Sequence, residues 1–139
     1  MFTVFAQTAD ATLPISALRA HAERHFDLSI DVSAAAGAPF LVRGGTAAGS
    51  YSITVRPRTA ADVALARDAE RRGARAGMGD LAERCSHVWL VHAAPESPAW
   101  LTWEFCALLA LTALGPILPE DGTTLLGVRS AREQAARLR

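Results

Sequence analysis

The chain has 139 residues, half of them hydrophobic and a fifth charged, and its formal net charge is zero. This length and apolar content predict one domain over residues 1–139 whose core needs neither disulfides nor bound metal to fold. The balanced charge argues against the strongly basic field of a general nucleic-acid-binding protein, so nucleic acid is not an expected partner. No motif implies a cofactor, and we expect none.

The amino-terminal residues and the two cysteines both indicate the cytoplasm. The first residues lack the positively charged start and the long apolar run of a secretory signal. Cys85 and Cys106 lie in apolar surroundings without C-x-x-C spacing, which is typical of free thiols in a reducing compartment. A disulfide between the two is the alternative interpretation.

The first half of the chain alternates apolar and polar residues in short runs. This pattern predicts strands at 2–6, 28–32, 39–42 and 51–55, with a helix reaching about Phe26 between the first two. The glycine-containing segment 43–50 predicts a hairpin loop, for which we favour a mobile contact with a partner. Phosphate-binding loops lead into a helix, and this segment leads into a strand.

The middle of the chain predicts a helix followed by a buried strand. Thr59 and Asp62 have the spacing of a capping box, and an alanine-rich helix should run from there to about Arg75. Residues 86–92 contain the unbroken apolar run Val-Trp-Leu-Val at 88–91. They therefore predict a central strand that is buried on both faces.

The last third of the chain completes the predicted fold. Residues 98–114 predict an apolar helix that the Gly115–Pro116 pair ends, and a last strand is expected at 123–128. Ser130 and Glu133 have the spacing of a capping box that opens a carboxy-terminal helix. Together these elements predict a single α+β domain, with a mostly antiparallel sheet of five to six strands, two to three packed helices and a C-terminal helix.

Glu104 is the single carboxylate in an almost wholly apolar run from Trp100 to Leu118. A helix that is apolar all round must be buried in a core, in a partner or in lipid. The Gly115–Pro116 break and the lack of a basic flank argue against a membrane span. The remaining alternatives for Glu104 are a structural carboxylate paired with an arginine, an indole or an amide, and a catalytic acid in a pocket walled by Trp100 and Trp103.

Two pairs of residues are weaker candidates for chemistry. His21 and His25 are four residues apart, the spacing that places two imidazoles on one helix face for a metal, but no third ligand is fixed by the pattern. Cys85 and His87 share one side of a strand and could form a nucleophile and its base. Their separation of about 7 Å along a strand is too long for a direct hydrogen bond.

Arginines cluster on the second predicted helix and on the strand before it. A stripe at intervals of four residues with two arginines on the preceding strand could bind a phosphate, RNA or an acidic protein surface, and the protein surface is the version we favour. The alternative is a solvated helix whose arginines pair with its own carboxylates. The candidate binding residues are Arg56, Arg58, Arg67, Arg71 and Arg75.

The segment 85–91, the apolar helix and the segment 114–129 together resemble small bacterial α+β domain families that carry no assigned function. The resemblance covers about a third of the chain and rests on a succession of strand, buried helix, turn and strand. It implies a fold and no catalytic residues.

The function hypotheses follow from these features. The leading hypothesis is a cytoplasmic bacterial protein without enzymatic activity that binds an acidic protein, for example an immunity protein that neutralises a cognate toxin. The second is a small enzyme or ligand-binding domain with a pocket around Glu104. The third is a homodimer that associates through the apolar helix 98–114 or its stripe of small residues.

Overall fold

The computed structural model describes residues 1–8, 10–32, 39–73 and 77–139. The strands are β1 (Phe2–Ala6), β2 (Leu28–Val32), β3 (Phe40–Gly44), β4 (Ala47–Pro57), β5 (His87–Ala93) and β6 (Ile117–Leu118). The α-helices are α1 (Ile15–His21), α2 (Ala60–Arg72), α3 (Met78–Arg84), α4 (Ala99–Ala113) and α5 (Val128–Leu138). A π-helical turn, Ala22–Phe26, continues α1.

The strands form one antiparallel sheet in the order β2-β3-β4-β5-β1-β6. Apolar side chains of α1, the π-helical turn, α4 and α5 bury one face of this sheet, and those of α2 and α3 bury part of the other. The predicted α+β class is therefore confirmed, with the C-terminal helix packed on α4.

The predicted central strand is confirmed in β5, which lies between β4 and β1. Trp89 and Val91 are fully buried on the face toward α4, while Val88 is fully buried on the face toward α2 and α3. Because both faces are covered, the strand has the continuous apolar sequence of a buried strand rather than an alternating one.

The predicted last strand at 123–128 is wrong. Leu126 makes one isolated bridge to Ile117, and α5 begins at Val128 after the cap residue Gly127. The apolar residues of this segment are buried without forming a strand. Leu125, for example, packs in the core between the sheet and α2. The predicted capping box at Ser130 is also wrong, because Ser130 already lies inside the helix.

The apolar helix α4 is enclosed within one chain. Its small-residue side packs on the sheet, where Thr102 Oγ1 lies 3.2 Å from the Tyr51 hydroxyl on β4, and α1 and α5 pack on its other sides. Most of this helix is therefore buried within its own chain, while Leu111 and Leu114 near its carboxy-terminal end line an apolar cleft with Met78 and Leu81. The homodimer stays a prediction. Of the helices in the described ranges, none is long and apolar enough to span a bilayer.

The predicted hairpin between β3 and β4 is confirmed, but its loop is shorter than 43–50, because the two strands continue to a two-residue turn. Gly44 pairs with Ala47, leaving Gly45 and Thr46 as the turn, and Gly45 has a φ of 62°. A Cβ atom on Gly44 would lie 3.1 Å from Cη2 of Trp100. Glycine at this position therefore lets the hairpin end contact the indole of α4.

Gly115 follows α4 at a point where the chain passes very close to the backbone of β1. A substitution at this position tests whether that close approach requires glycine. A Cβ atom there would lie 1.9 Å from the backbone oxygen of Phe5. We expect Gly115→Ala to lower the free energy of unfolding by about 3 kcal/mol or more, because backbone rather than a flexible side chain must move. Chemical denaturation measures this loss.

Gly127→Ala is the matched control. Its added methyl would meet the terminal methyl of Met78 at 2.8 Å, and a flexible side chain can move away. A loss of stability for Gly127→Ala as large as that for Gly115→Ala would contradict the backbone explanation.

Candidate functional site

Glu104 is 5% exposed and projects from α4 toward the C-terminal helix. Its Oε1 lies 3.7 Å from Nε of Arg132, and its Oε2 has no hydrogen-bond partner among the described residues. The predicted pairing with an arginine is thus observed, at a distance that gives charge attraction without a direct hydrogen bond. Glu104 itself lines none of the clefts described below, so it is not positioned as a pocket acid.

Beside this ion pair lies a cleft with a volume of about 560 Å³. We call it the Trp100 cleft. Its walls are residues 23–27, the hairpin end at Gly44–Thr46, Trp100 of α4, Arg132 in the middle of α5 and Arg139 directly after that helix. Four separate segments of the chain therefore meet around one opening.

Two arginines of the cleft lie on aromatic rings. The guanidinium carbon of Arg132 is 4.5 Å from the ring centre of Phe26, and that of Arg139 is 4.4 Å from the Trp100 ring centre. All N–H donors of a guanidinium lie in its plane, so stacking on a ring leaves those donors available to another group. No carboxylate in the described ranges lies within ion-pair distance of Arg139.

The π-helical turn supplies the wall that carries Phe26. The backbone N–H of Asp27 donates to the carbonyl of Ala22, five residues earlier, and Asp27 then adopts a left-handed conformation with a φ of 50°. This wider turn leaves Phe26 buried at 3% exposure while Glu23, Arg24 and Asp27 remain at the surface. Turns of this type occur frequently at functional sites.

The sequence did not single out the arginines of the cleft as a site. Arg132 and Arg139 are seven residues apart, a spacing that places side chains near the same face of a helix. This seven-residue interval was the one sequence signal that could have paired the two arginines. The aromatic rings on which they lie belong to segments far away in the sequence, so the sequence did not indicate the stacking.

The candidate nucleophile and base are engaged elsewhere. Cys85 is buried, its Sγ donates to the carbonyl of Leu81 at 3.3 Å, and burial raises its pKa to about 11. Nδ1 of His87 lies 3.0 Å from the carbonyl of Thr8 and 2.9 Å from Oγ of Ser86. The Thr8 carbonyl also accepts a hydrogen bond from Ser86 Oγ at 2.5 Å, so the His87 ring is held in a cluster with Ser86 and Thr8.

The two cysteines are free thiols, and both are buried. The alternative interpretation as a disulfide is therefore wrong for this structure. Burial raises the pKa of Cys106 as well, so neither sulfur has the depressed pKa of a reactive cysteine.

His21 and His25 lie close together without a third ligand. Their ring centres are 6.1 Å apart, and Nδ1 of His21 lies 3.0 Å from Oγ1 of Thr112 on α4. Across the described ranges, no group of three or more histidine, cysteine, aspartate or glutamate side chains is arranged to hold a metal ion. The interaction with Thr112 ties α1 to α4.

The arginines of the predicted binding stripe are paired within the chain. Arg67 contacts Asp80 at 2.9 Å and also Glu83, linking α2 to α3. Arg71 pairs with Asp68 on the same helix. The alternative of an internally paired helix is thus the one observed for these two residues, while Arg75 lies outside the described residues.

The two arginines before α2 are also occupied. Arg56 binds both oxygens of Asp62, at 2.7 and 2.8 Å, and Arg58 donates to the carbonyl of Cys85 at 2.7 Å. Asp62 in turn closes the predicted capping box with Thr59, which is confirmed. The Arg56 guanidinium and the helix cap hold the pKa of Asp62 at about 2.

Comparison of the chain with protein-family models, with curated proteins and with solved structures gives no match. The resemblance to small bacterial α+β families therefore stays a prediction, and the site is argued from its own residues.

The Glu104–Arg132 pair can be tested by a double-mutant cycle. Arg132→Gln leaves a buried carboxylate without its counter-charge, and we expect a loss of about 3 kcal/mol in the free energy of unfolding. In a Glu104→Gln background the same change should cost about 1–3 kcal/mol less. Urea denaturation of the four proteins measures the coupling.

The exposed Arg129–Glu133 pair on α5, at 3.3 Å, is the matched control for this cycle. Its coupling should be below about 0.5 kcal/mol because solvent screens both partners. Equal coupling for the two pairs would show that burial of Glu104 does not strengthen its interaction.

The capped Asp62 predicts a pH dependence of stability. Its pKa of about 2 lies below its ordinary value of 3.8, so its contribution is present above about pH 4 and is lost as the pH falls toward 2. Arg56 is 37% exposed, and solvent screening reduces the contribution to about 1–2 kcal/mol. Asp62→Asn should therefore lose less stability than the parent between pH 5 and pH 2, whereas Asn at the exposed Asp31 should follow the parent.

Proposed function

We propose that this chain is a cytoplasmic bacterial binding module without enzymatic activity, and that it docks an acidic surface of another protein in the Trp100 cleft. The observation that carries the proposal is the Arg139 guanidinium, which is stacked on Trp100 in the cleft wall with no carboxylate partner in the described ranges. Such an arginine is held in place by its ring and still has its donors free for an anion.

The position of the proposed surface differs from the one that the sequence suggested. Four of the arginines that the sequence suggested interact with carboxylates or carbonyls of their own chain, namely Arg56, Arg58, Arg67 and Arg71. An acidic partner would have to displace those contacts to bind there. Around the Trp100 cleft, the described lining residues include three arginines and the carboxylates of Glu23 and Asp27, and Arg132 also faces Glu104.

A protein surface fits the cleft better than a nucleic acid does. Bases bind single-strand sites by stacking on open aromatic faces. Arg139 covers one face of Trp100, and Phe26 is buried beneath Arg132. A carboxylate approaching the guanidinium edges requires neither ring to be uncovered.

An immunity protein that neutralises a cognate toxin is the most concrete form of this proposal. The residues that the sequence offered for catalysis support a binding role, since Cys85 and His87 are held in structural hydrogen bonds and Glu104 is enclosed. Arginine donors on the wall of a cleft can bind carboxylates of a partner's acidic patch and determine its orientation.

The volume of the cleft favours one second candidate, a site for a small anionic ligand. About 560 Å³ lies within the range of small-molecule sites. A ligand site in the Trp100 cleft differs from the pocket predicted around Glu104, because Arg132 lines this cleft and Glu104 does not.

The proposal predicts that a charge reversal at Arg139 abolishes capture of the partner. Parent protein, Arg139→Glu and Arg129→Glu, each tagged at the amino end, are used to capture proteins from bacterial lysate, and the bound proteins are identified by mass spectrometry. Arg129 is 89% exposed, lies on the same helix and is not part of the cleft. We expect one stoichiometric acidic protein with the parent and with Arg129→Glu, and none with Arg139→Glu.

The captured protein is then purified and its Kd is measured against all three forms. Loss of one charge pair and introduction of a repulsive one should weaken binding by about tenfold or more, equivalent to at least 1.4 kcal/mol. Equal affinity for Arg139→Glu would place the partner on another surface, and capture that nuclease treatment removes would contradict a protein partner.

A further inference from the structure

Arg132 is positioned to share its charge between the protein and a ligand. Its Nε faces Glu104 Oε1 at 3.7 Å, and its guanidinium lies flat on Phe26. The side chain is 45% exposed, and its donors make no hydrogen bond to any residue in the described ranges. The guanidinium edge away from Nε is therefore available to an anion in the Trp100 cleft.

Arg139 offers a second unoccupied set of donors to the same cleft. It lies on Trp100 at 4.4 Å, and Trp100 is itself held against the hairpin end at Gly44. Both guanidinium planes are thus fixed by rings that tertiary packing holds. A fixed donor loses little side-chain entropy when it binds, which is the usual requirement for a selective anion site.

The charges around the cleft favour an anion with a single charge. Arg24, Arg132 and Arg139 stand against Glu23 and Asp27 in the walls, with Glu104 behind Arg132. A phosphate brings between one and two negative charges and would face three nearby carboxylates. A carboxylate brings one charge, and its two oxygens match the paired donors of a guanidinium edge.

We propose that the Trp100 cleft contains a carboxylate subsite, in which Arg132 and Arg139 together hold one aspartate or glutamate side chain of the partner. This inference rests on the proposed function, because it names the group of the acidic surface that enters the cleft. Glu104 acts as a positioning residue, since it holds the Nε side of Arg132 and leaves the other edge toward the cleft.

The test uses defined anions on the whole protein. Arginine Nε–Hε signals are followed by NMR while N-acetyl-glutamate amide, a single-carboxylate probe, is added at constant ionic strength in sodium chloride. A second titration uses inorganic phosphate. We expect the carboxylate probe to shift the Arg132 and Arg139 signals together along one saturating curve, with the Arg129 signal unchanged as the internal control.

Variants separate binding from folding. Arg139→Gln should lower the affinity of the protein for the carboxylate probe by about fivefold or more, whereas Arg129→Gln should leave that affinity unchanged. Arg132→Gln removes the counter-charge of the buried Glu104 and could therefore destabilise the fold. The Glu104→Gln/Arg132→Gln double variant, in which neither charge is present, is measured as well. The double variant should retain its fold, by thermal melting, and lose the response of the Arg139 signal.

The outcomes distinguish this inference from the proposed function. The carboxylate subsite would be overturned by either of two results. In the first, the carboxylate probe shifts the NMR signals of Arg132 and Arg139 no more than that of Arg129. In the second, phosphate saturates these signals and the carboxylate probe does not. If partner capture nevertheless depends on Arg139, the proposed function stands without this subsite. If both arginines bind the carboxylate probe but Arg139→Glu captures the partner as well as the parent protein does, the subsite stands and the proposed function fails.

Discussion

A carboxylate inside an apolar helix is the constraint on which the rest of this structure depends. Glu104 is enclosed at 5% exposure in a helix whose other side chains are nearly all apolar. A buried charge of this kind is tolerated only with a counter-charge, and Arg132 of α5 provides it at 3.7 Å. The same helix packs on α4 with Ala131 and Ala135 fully buried, and it carries Arg132 onto Phe26. Arg139, directly after it, lies on Trp100.

The chain uses arginine in two different ways, and the difference explains why the proposed surface is not the one with the densest arginines. On α2, Arg67 interacts with carboxylates of α3 and Arg71 with Asp68 of its own helix, so both charges are paired and contribute little external field. On α5, Arg132 and Arg139 lie on rings, which orient a guanidinium without neutralising it. Local sequence density of arginine is therefore a poor guide to the electrostatic surface.

Most of the fold could be predicted from the sequence, because its signals are local. The strand at 2–6, the buried strand near Trp89 and the capping box at Thr59 each depend on neighbouring residues, and all three are observed. Segment 123–128 was mistaken for a strand because its apolar residues fill separate core positions. The Trp100 cleft could not be predicted, since its rings and arginines come from segments that are far apart in sequence and meet only after folding.

The walls of the Trp100 cleft are held by interactions that differ from one segment to the next. The π-helical turn is closed by the Asp27 to Ala22 hydrogen bond, and the hairpin end is a two-residue turn in which Gly44 lets Trp100 approach. The expectation of a mobile loop at 43–50 is replaced by a strand pair that forms one wall. A surface with such walls binds through preorganised donors rather than by ordering a loop, so its selectivity depends on the charge and shape of the group that enters.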